Sequence, residues 1–289
     1  LIGAARFCFT PKTFMKKISV ACVQLCSSDN LRENIATASA LIREAKAQGA
    51  ELIATPEMTS LLDRRPGAVL RQAKSEEEDE ALAAFCALAQ ELDVWLVIGS
   101  LPIRAAEDKC TNRSLLISPQ GMVAARYDKI HLFDATLAED HIYKESERYQ
   151  AGDRAVIADL PHARLGFTIC YDLRFPQLFR ALAHAGAEII TVPAAFVRVT
   201  GEAHWEVLLR ARAIETGCFL LAPAQGGCHA DGRETYGHSL IVGPWGEVLA
   251  EAGVEPGVIT ATLDLDQVKA ARSRLPSLGH DRVFVGPLP

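Results

Sequence analysis

Short apolar runs and amphipathic, helix-period segments alternate along almost the whole of this 289-residue chain. That alternation constrains the fold more than any other feature. Residues 18–25 read as a strand, and 31–48 as a helix with Ile35, Ala38, Leu41, Ile42 and Ala45 on one face and Gly49 as its stop. Strands follow at 51–55 and 94–99, separated by a helix at 76–92 whose acidic first turn suits the positive end of its dipole. Residues 113–118 and 122–127 flank Pro119-Gln120-Gly121 and read as a hairpin. The second half continues with strands at 164–169, 188–192 and 219–222, helices at 176–185 and 204–216 between them, and strands at 239–242, 247–250 and 258–263. Strands joined through helices of about 10 to 18 residues point to an α/β architecture with helices covering sheets.

One stretch echoes another. Gly49-Ala50-Glu51-Leu52-Ile53-Ala54-Thr55-Pro56 returns as Gly186-Ala187-Glu188-Ile189-Ile190-Thr191-Val192-Pro193, each after an Ala-rich helix. The echo is either a coincidence between two good helix–turn–strand sequences or the mark of two similar halves packed sheet to sheet. No Ser/Gly/Pro-rich linker interrupts the pattern, so one domain is expected over 15–289. Residues 1–14 carry Arg6 and Lys12 scattered among apolar and turn residues, unlike a signal peptide, and read as a leader outside the fold.

Composition removes several classes. A net charge of −6 argues against nucleic acid as a partner, because phosphate binding needs a basic face. No stretch approaches the ~18 apolar residues of a membrane-spanning helix, so no membrane partner is expected. Eight cysteines are too sparse for a disulfide scaffold and form no C-x-x-C pair. They read mostly as small buried hydrophobes in a reducing cytoplasm.

In α/β folds reactive groups gather where strands end. Glu57 follows the strand Leu52-Ile53-Ala54-Thr55-Pro56, Lys129 follows the second strand of the hairpin, and Cys170 follows Leu165-Gly166-Phe167-Thr168-Ile169. A strand running into Cys170 and a short polar turn would present the thiol on an elbow, with the Tyr171 N–H aimed at whatever the thiol attacks. Spacing alone leaves Cys170 equally readable as a buried strand-end cysteine. Glu57 taken singly is an exposed loop charge or a cap, and Lys129 a solvated lysine. His131 is the conventional partner for a nucleophilic cysteine, but nothing in the sequence places it beside Cys170.

Together these residues resemble a known family. Pro56-Glu57, Lys129-Ile130-His131-Leu132-Phe133-Asp134 and Cys170-Tyr171-Asp172-Leu173-Arg174-Phe175-Pro176 are similar, in order and separation, to three signatures of the nitrilase superfamily of carbon–nitrogen hydrolases. The resemblance implies a four-layer α-β-β-α sandwich, usually dimerised by extending its sheets. It implies Glu57 as general base, Lys129 as cationic stabiliser, Cys170 as nucleophile and Glu145 as a second, orienting glutamate, with Glu147 as the competing match. It implies that no metal or organic cofactor is required. The chemistry suits the residue types: a thiol near its usual pKa is mostly protonated at neutral pH, so a base must take its proton during attack on an amide.

Cys170-Tyr171-Asp172 differs from the Cys-Trp-Glu of the nitrile hydrolysers and so favours an amidase. Ala195-Phe196, residues 201–216 and Tyr236-Gly237-His238-Ser239 resemble the Nit-type branch, in particular the amidases acting on deaminated glutathione. The substrate implied is thus a small carboxylate-bearing amide. Arg174 could fork onto its carboxylate or pair with Asp172, and Phe196 could wall the pocket or fill core. The alternatives are an ω-amidase acting on α-ketoglutaramate, an N-carbamoyl amino-acid hydrolase, and a catalytically idle dimeric scaffold. A homodimer or higher homo-oligomer is expected.

Overall fold

The computed structural model describes residues 17–138 and 141–286, so the expected leader at 1–14 lies outside the described residues. In the first half β1 (Lys17–Gln24), α1 (Leu31–Ala47), β2 (Leu52–Ala54), a short α2 (Ala68–Gln72), α3 (Glu80–Leu92) and β3 (Trp95–Arg104) lead into the hairpin β4 (Cys110–Ile117) and β5 (Val123–Asp128). A small hairpin of β6 (Asp134–Ala138) and β7 (His141–Lys144), then β8 (Tyr149–Gln150), complete that half. The second half runs β9 (Ile157–Asp159), β10 (Arg164–Phe167), α4 (Pro176–His184), β11 (Ile189–Thr191), α5 (Arg198–Thr216) and β12 (Phe219–Ala222). The hairpin β13 (Gly226–Cys228) and β14 (Glu234–Tyr236) follows, then β15 (Leu240–Val242), β16 (Val248–Glu251), β17 (Gly257–Asp264) and α6 (Asp266–Arg274).

Two sheets result, ordered β17-β1-β2-β3-β4-β5, with β8 added to β4, and β16-β15-β12-β11-β10-β9. Each has three parallel strands at its centre, β1-β2-β3 and β10-β11-β12, with antiparallel strands on both flanks. The echoed octets supply β2 and β11, the middle strand of each sheet. The two sheets therefore share one strand arrangement, as the echo suggests, although β17, the flank of the first sheet, comes from the far end of the chain.

Period-two alternation divides the core. Val20, Cys22, Leu52 and Ala54 point to the second sheet and pack in one cluster with Phe167, Ile190 and Leu220. Their neighbours Ala21, Val23 and Ile53 point the other way, to Ala38, Ile42 and Phe85 of α1 and α3. Phe179 of α4 and Trp205 and Leu209 of α5 cover the outer face of the second sheet. The result is a four-layer α-β-β-α sandwich. The sheets approach so closely that a Cβ on Gly99 would lie 2.0 Å from the Thr55 carbonyl oxygen and 2.5 Å from the Pro193 Cβ.

Some boundaries differ from the sequence reading for local reasons. The helix expected from residue 76 begins at Glu80, because Asp79 caps it by accepting from the Leu82 N–H at 2.8 Å. Glu76 instead binds Arg113 and Arg126 in a preceding 3-10 turn. The helix expected from residue 204 starts at Arg198 and passes through Gly201, a poor helix former. Only glycine fits there: a Cβ would meet the Tyr236 side chain at 2.2 Å. The short hairpins β6–β7 and β13–β14 and helix α6 escape the sequence reading altogether.

Candidate active site

The parallel strands β2, β10 and β11 all deliver their C-terminal ends to one place, between the two sheets. Pro56-Glu57 leaves β2, Cys170 stands at the turn after β10, Ala195 follows β11, and Lys129 directly follows β5. Glu57, Lys129, Glu145, Cys170 and Ala195 line a single cavity. The sequence separations of these residues say nothing of this convergence; the strand order creates it.

Backbone strain marks two of these junctions. Cys170 has φ +49° and Met58, beside Glu57, has φ +56°. Left-handed conformations in non-glycine residues cost about 1–3 kcal/mol each and persist where the surrounding structure over-determines them. At Cys170 the over-determination is visible. Its N–H donates to the Pro193 carbonyl at 2.8 Å. The buried Asp172 carboxylate accepts from the Ile169 N–H at 2.8 Å, the Tyr127 hydroxyl at 2.6 Å and the His131 N–H at 3.1 Å. Tyr171 opens the tight turn after Cys170, where an amide has no acceptor within the turn itself.

Glu57 is nearly enclosed, at 4% exposure, and both its oxygens are occupied. Oε1 accepts from Lys129 Nζ at 2.9 Å and from Asn112 Nδ2 at 2.9 Å, while Oε2 accepts from the Ala195 N–H at 2.9 Å. Lys129 Nζ also donates to Glu145 Oε1 at 3.0 Å and Oε2 at 2.9 Å. Glu145 Oε2 accepts in turn from the Phe133 N–H at 2.6 Å. Glu147, the competing match for the second glutamate, pairs with Lys144 on the surface. The geometry brings Glu145 to the cluster.

Electrostatics sort the protons. Burial pushes the Glu57 carboxyl up, but the Lys129 charge and the hydrogen bonds from Lys129 and Asn112 outweigh it and hold the group below its ordinary range. Burial first, and then the Glu57 charge, raise the Cys170 thiol well above its ordinary value, against the opposing pull of Lys129 and the Ala195 N–H. Burial disfavours the Lys129 ammonium, yet Glu145 and Glu57 hold it protonated. The resting arrangement is a neutral thiol facing an ionised carboxylate. Such a pair can transfer its proton as the sulfur attacks an electrophile.

The remaining sequence candidates fall elsewhere. His131 is pinned by Asp172, Nδ1 to Oδ1 at 2.6 Å, and stacks on Phe175 with ring centroids 3.5 Å apart, so it is not the partner of Cys170. Arg174 does not pair with Asp172. Its guanidinium lies 5.3 Å from the Phe196 ring centroid and 5.9 Å from that of Tyr171, and Nη1 is 3.3 Å from His204 Nδ1. Phe196 packs on Trp205. Neither Arg174 nor Phe196 lines the cavity that holds Cys170. Asn112 was missed by the sequence reading. It is fully buried and donates to Glu57 and, at 3.1 Å, to Glu145 Oε1. It lies one position before the expected start of the hairpin strand, between Thr111 and Arg113, so no local pattern singled it out.

Known proteins share this arrangement of chain. The carbon-nitrogen hydrolase family model matches residues 19–273. A Yersinia enterocolitica protein named deaminated glutathione amidase is 43% identical over 277 residues, which are 95% of this chain and 96% of that one. The structure of Saccharomyces cerevisiae Nit3, a member of branch 10 of the nitrilase superfamily, superposes with a TM-score of 0.81 at 29% identity, over 90% of this chain and 94% of its own. An amidase variant from Nesterenkonia sp. AN1, whose active site cysteine carries a Michael adduct of acrylamide, has a TM-score of 0.76 at 27% identity over 90% of this chain and 98% of its own. With the sandwich, the strand-end cluster and these likenesses in agreement, the chain belongs to the carbon–nitrogen hydrolase family and is a hydrolase of non-peptide carbon–nitrogen bonds.

Proposed function

We propose that the chain is a cysteine-dependent amidase that cleaves deaminated glutathione at the amide joining its 2-oxo acid to cysteinylglycine. The observation that carries the chemistry is the convergence of Glu57, Lys129 and the buried Cys170 on one cavity, with the Glu57 carboxylate bound by Lys129 Nζ at 2.9 Å. The substrate is supported by the name of the Yersinia relative, which matches this chain almost end to end. In this reading Cys170 Sγ attacks the amide carbon as its proton passes to Glu57. The oxyanion is met by the Tyr171 N–H and by the positive field of Lys129. Lys129 Nζ is already engaged by three carboxylate oxygens, so its first task is to keep Glu57 ionised. A direct bond to the oxyanion needs one of the Glu145 contacts to open. Collapse breaks the C–N bond and Glu57 returns the proton to the departing amine. Water, deprotonated by Glu57, then cleaves the thioester to release the 2-oxo dicarboxylate. Asn112 and Glu145 hold the base and the cation in register.

The test compares cysteinylglycine release from deaminated glutathione with ammonia release from α-ketoglutaramate and from N-carbamoyl amino acids on one preparation. Deaminated glutathione is expected to give the highest kcat/KM, because binding energy from the dipeptide can be used to position the amide. A tenfold preference for α-ketoglutaramate, about 1.4 kcal/mol in the transition state, would move the protein to the ω-amidase reading. Activity confined to N-carbamoyl substrates rejects both.

A nucleophilic thiol works only when reduced, so we place the enzyme in the cytoplasm. No helix among the described residues is long and apolar enough to cross a membrane. We further infer a homodimer or higher homo-oligomer. Val199, Val207 and Ile214 fall on one stripe of α5 at 65%, 68% and 50% exposure, with Trp245 at 51%. Large apolar side chains exposed in one region favour a protein partner. Val207→Glu should shift the sedimentation profile of the purified protein toward monomer. A wild-type protein that already sediments as a monomer at micromolar concentration overturns this inference.

A further inference from the structure

Two guanidinium groups in the wall of the Cys170 cavity have no carboxylate partner among the described residues. Arg148 follows the turn that carries Glu145, and Arg233 stands in the loop joining β13 to β14; both line the cavity with Cys170. The carboxylates of that wall are committed elsewhere, Glu57 and Glu145 to Lys129 and Asp63 to Arg65. The Nε of Arg233 is buried and, among the described residues, meets no hydrogen-bond acceptor. A buried N–H without an acceptor is costly, more so on a charged group, and a ligand oxygen placed there removes that cost.

The surrounding backbone fixes both arginines to one frame. Asp231, two residues before Arg233, does not neutralise it. Its Oδ1 accepts from the Arg233 backbone N–H at 2.9 Å and its Oδ2 from the Arg64 N–H at 2.7 Å. The Arg64 carbonyl accepts from Arg148 Nη1 at 2.9 Å. Arg64 thus ties the Arg148 segment and the Arg233 loop together through its own peptide groups. Guanidinium charge in a cavity wall, with no carboxylate bonded to it, is a receptor for an anion.

We propose that Arg233, together with Arg148, receives the carboxylate on the acyl side of the substrate, the end that remains on Cys170 as the thioester. The inference rests on the amidase reading above and assigns substrate selection within it. A 2-oxo acid presents a planar carboxylate, which a guanidinium binds through two parallel hydrogen bonds. The acyl half stays enclosed through both chemical steps while the leaving amine departs to solvent. A buried Nε is therefore suited to the acyl end. The role that the sequence offered to Arg174 passes in this way to residues of another hairpin.

Arg233→Met and Arg148→Met are to be compared with wild type on deaminated glutathione, α-ketoglutaramate and pentanamide, an uncharged amide with the same carbon chain length as the acyl part. In Arg233→Met the ratio of kcat/KM for either oxo-acid amide to that for pentanamide should fall at least about tenfold, as expected for loss of a hydrogen-bonded charge. Arg233→Lys should restore only part of it. Calorimetric titration with 2-oxoglutarate should show an affinity weakened by a similar factor in Arg233→Met. Equal losses on all three amides would mean a merely structural role, and a loss with deaminated glutathione alone would place the contact on the leaving group. Either result overturns the assignment, as does unchanged 2-oxoglutarate affinity. If wild type fails to hydrolyse deaminated glutathione, the proposed substrate is wrong, but the titration still decides the role of Arg233.

Discussion

Replacing Cys170 by alanine will abolish amide hydrolysis while the sandwich stays folded. The expected loss is at least about 10⁴-fold, because removing one member of a cooperating nucleophile–base set forfeits nearly all of its contribution. The other cysteines should not matter. Cys22 and Cys218 are buried in the core, and burial raises both thiols, Cys218 against the pull of the Arg272 charge. Cys110 lies in the cluster beneath Tyr149, and Cys26, Cys86 and Cys228 do not line the cavity. Alanine retains a Cβ at φ +49°, so the backbone strain at residue 170 is unchanged and the melting temperature should move little. Product release and thermal unfolding of the same preparation make the measurement, with mass spectrometry locating the adduct after iodoacetamide treatment. Near-normal turnover by Cys170→Ala, or full activity with an alkyl group on Cys170, would sink the mechanism.

The middle strands of both sheets were legible in the sequence because each is an apolar run closed by Gly on one side and Pro on the other. The echoed octets showed more, since the same octet folds to the same position in both halves. What local pattern could not show was anything set by contact across the fold. Gly201 hides the first turn of α5, because its reason for being glycine is the Tyr236 ring, thirty-five residues later. Asn112 lies just outside the expected strand, and only the meeting of β4 with the ends of β2 and β5 makes it a ligand of two carboxylates. Arg174 was a plausible clamp by its closeness to Cys170 in sequence. The turn after Cys170 sends it instead onto the faces of Tyr171 and Phe196. The triad itself became readable through three motifs together, and no single motif implied that Glu57 would be ionised and Cys170 protonated. That distribution of protons follows from burial and from the position of Lys129.

Glu57→Gln and Lys129→Met should each reduce kcat/KM by about 10³-fold or more, and the double variant should be little worse than the weaker single variant. Glu57 takes the thiol proton only as a carboxylate, and Lys129 is the cation that keeps it one at full burial, so the two act as a unit and their losses cannot multiply. The pH dependence separates the contributions. In wild type the Glu57 carboxyl is held below its ordinary 4.5, so the acid limb of the activity profile lies below that value. The stability gained from this ionised group is present above pH 4.5 and is lost as pH falls through the lower folded-state value. Without Lys129, burial and the facing Glu145 charge dominate and the Glu57 pKa must rise. The acid limb of Lys129→Met therefore moves toward neutrality. Its stability changes with the opposite sign: the deficit, about 3–5 kcal/mol for a buried charge stripped of its partner, is full at high pH and relieved as Glu57 takes up a proton. Melting temperature against pH should consequently fall with rising pH in Lys129→Met over the range where the wild-type curve is flat. Fully multiplicative losses in the double variant, or parallel melting curves for the two proteins, would show that Lys129 does not act through Glu57.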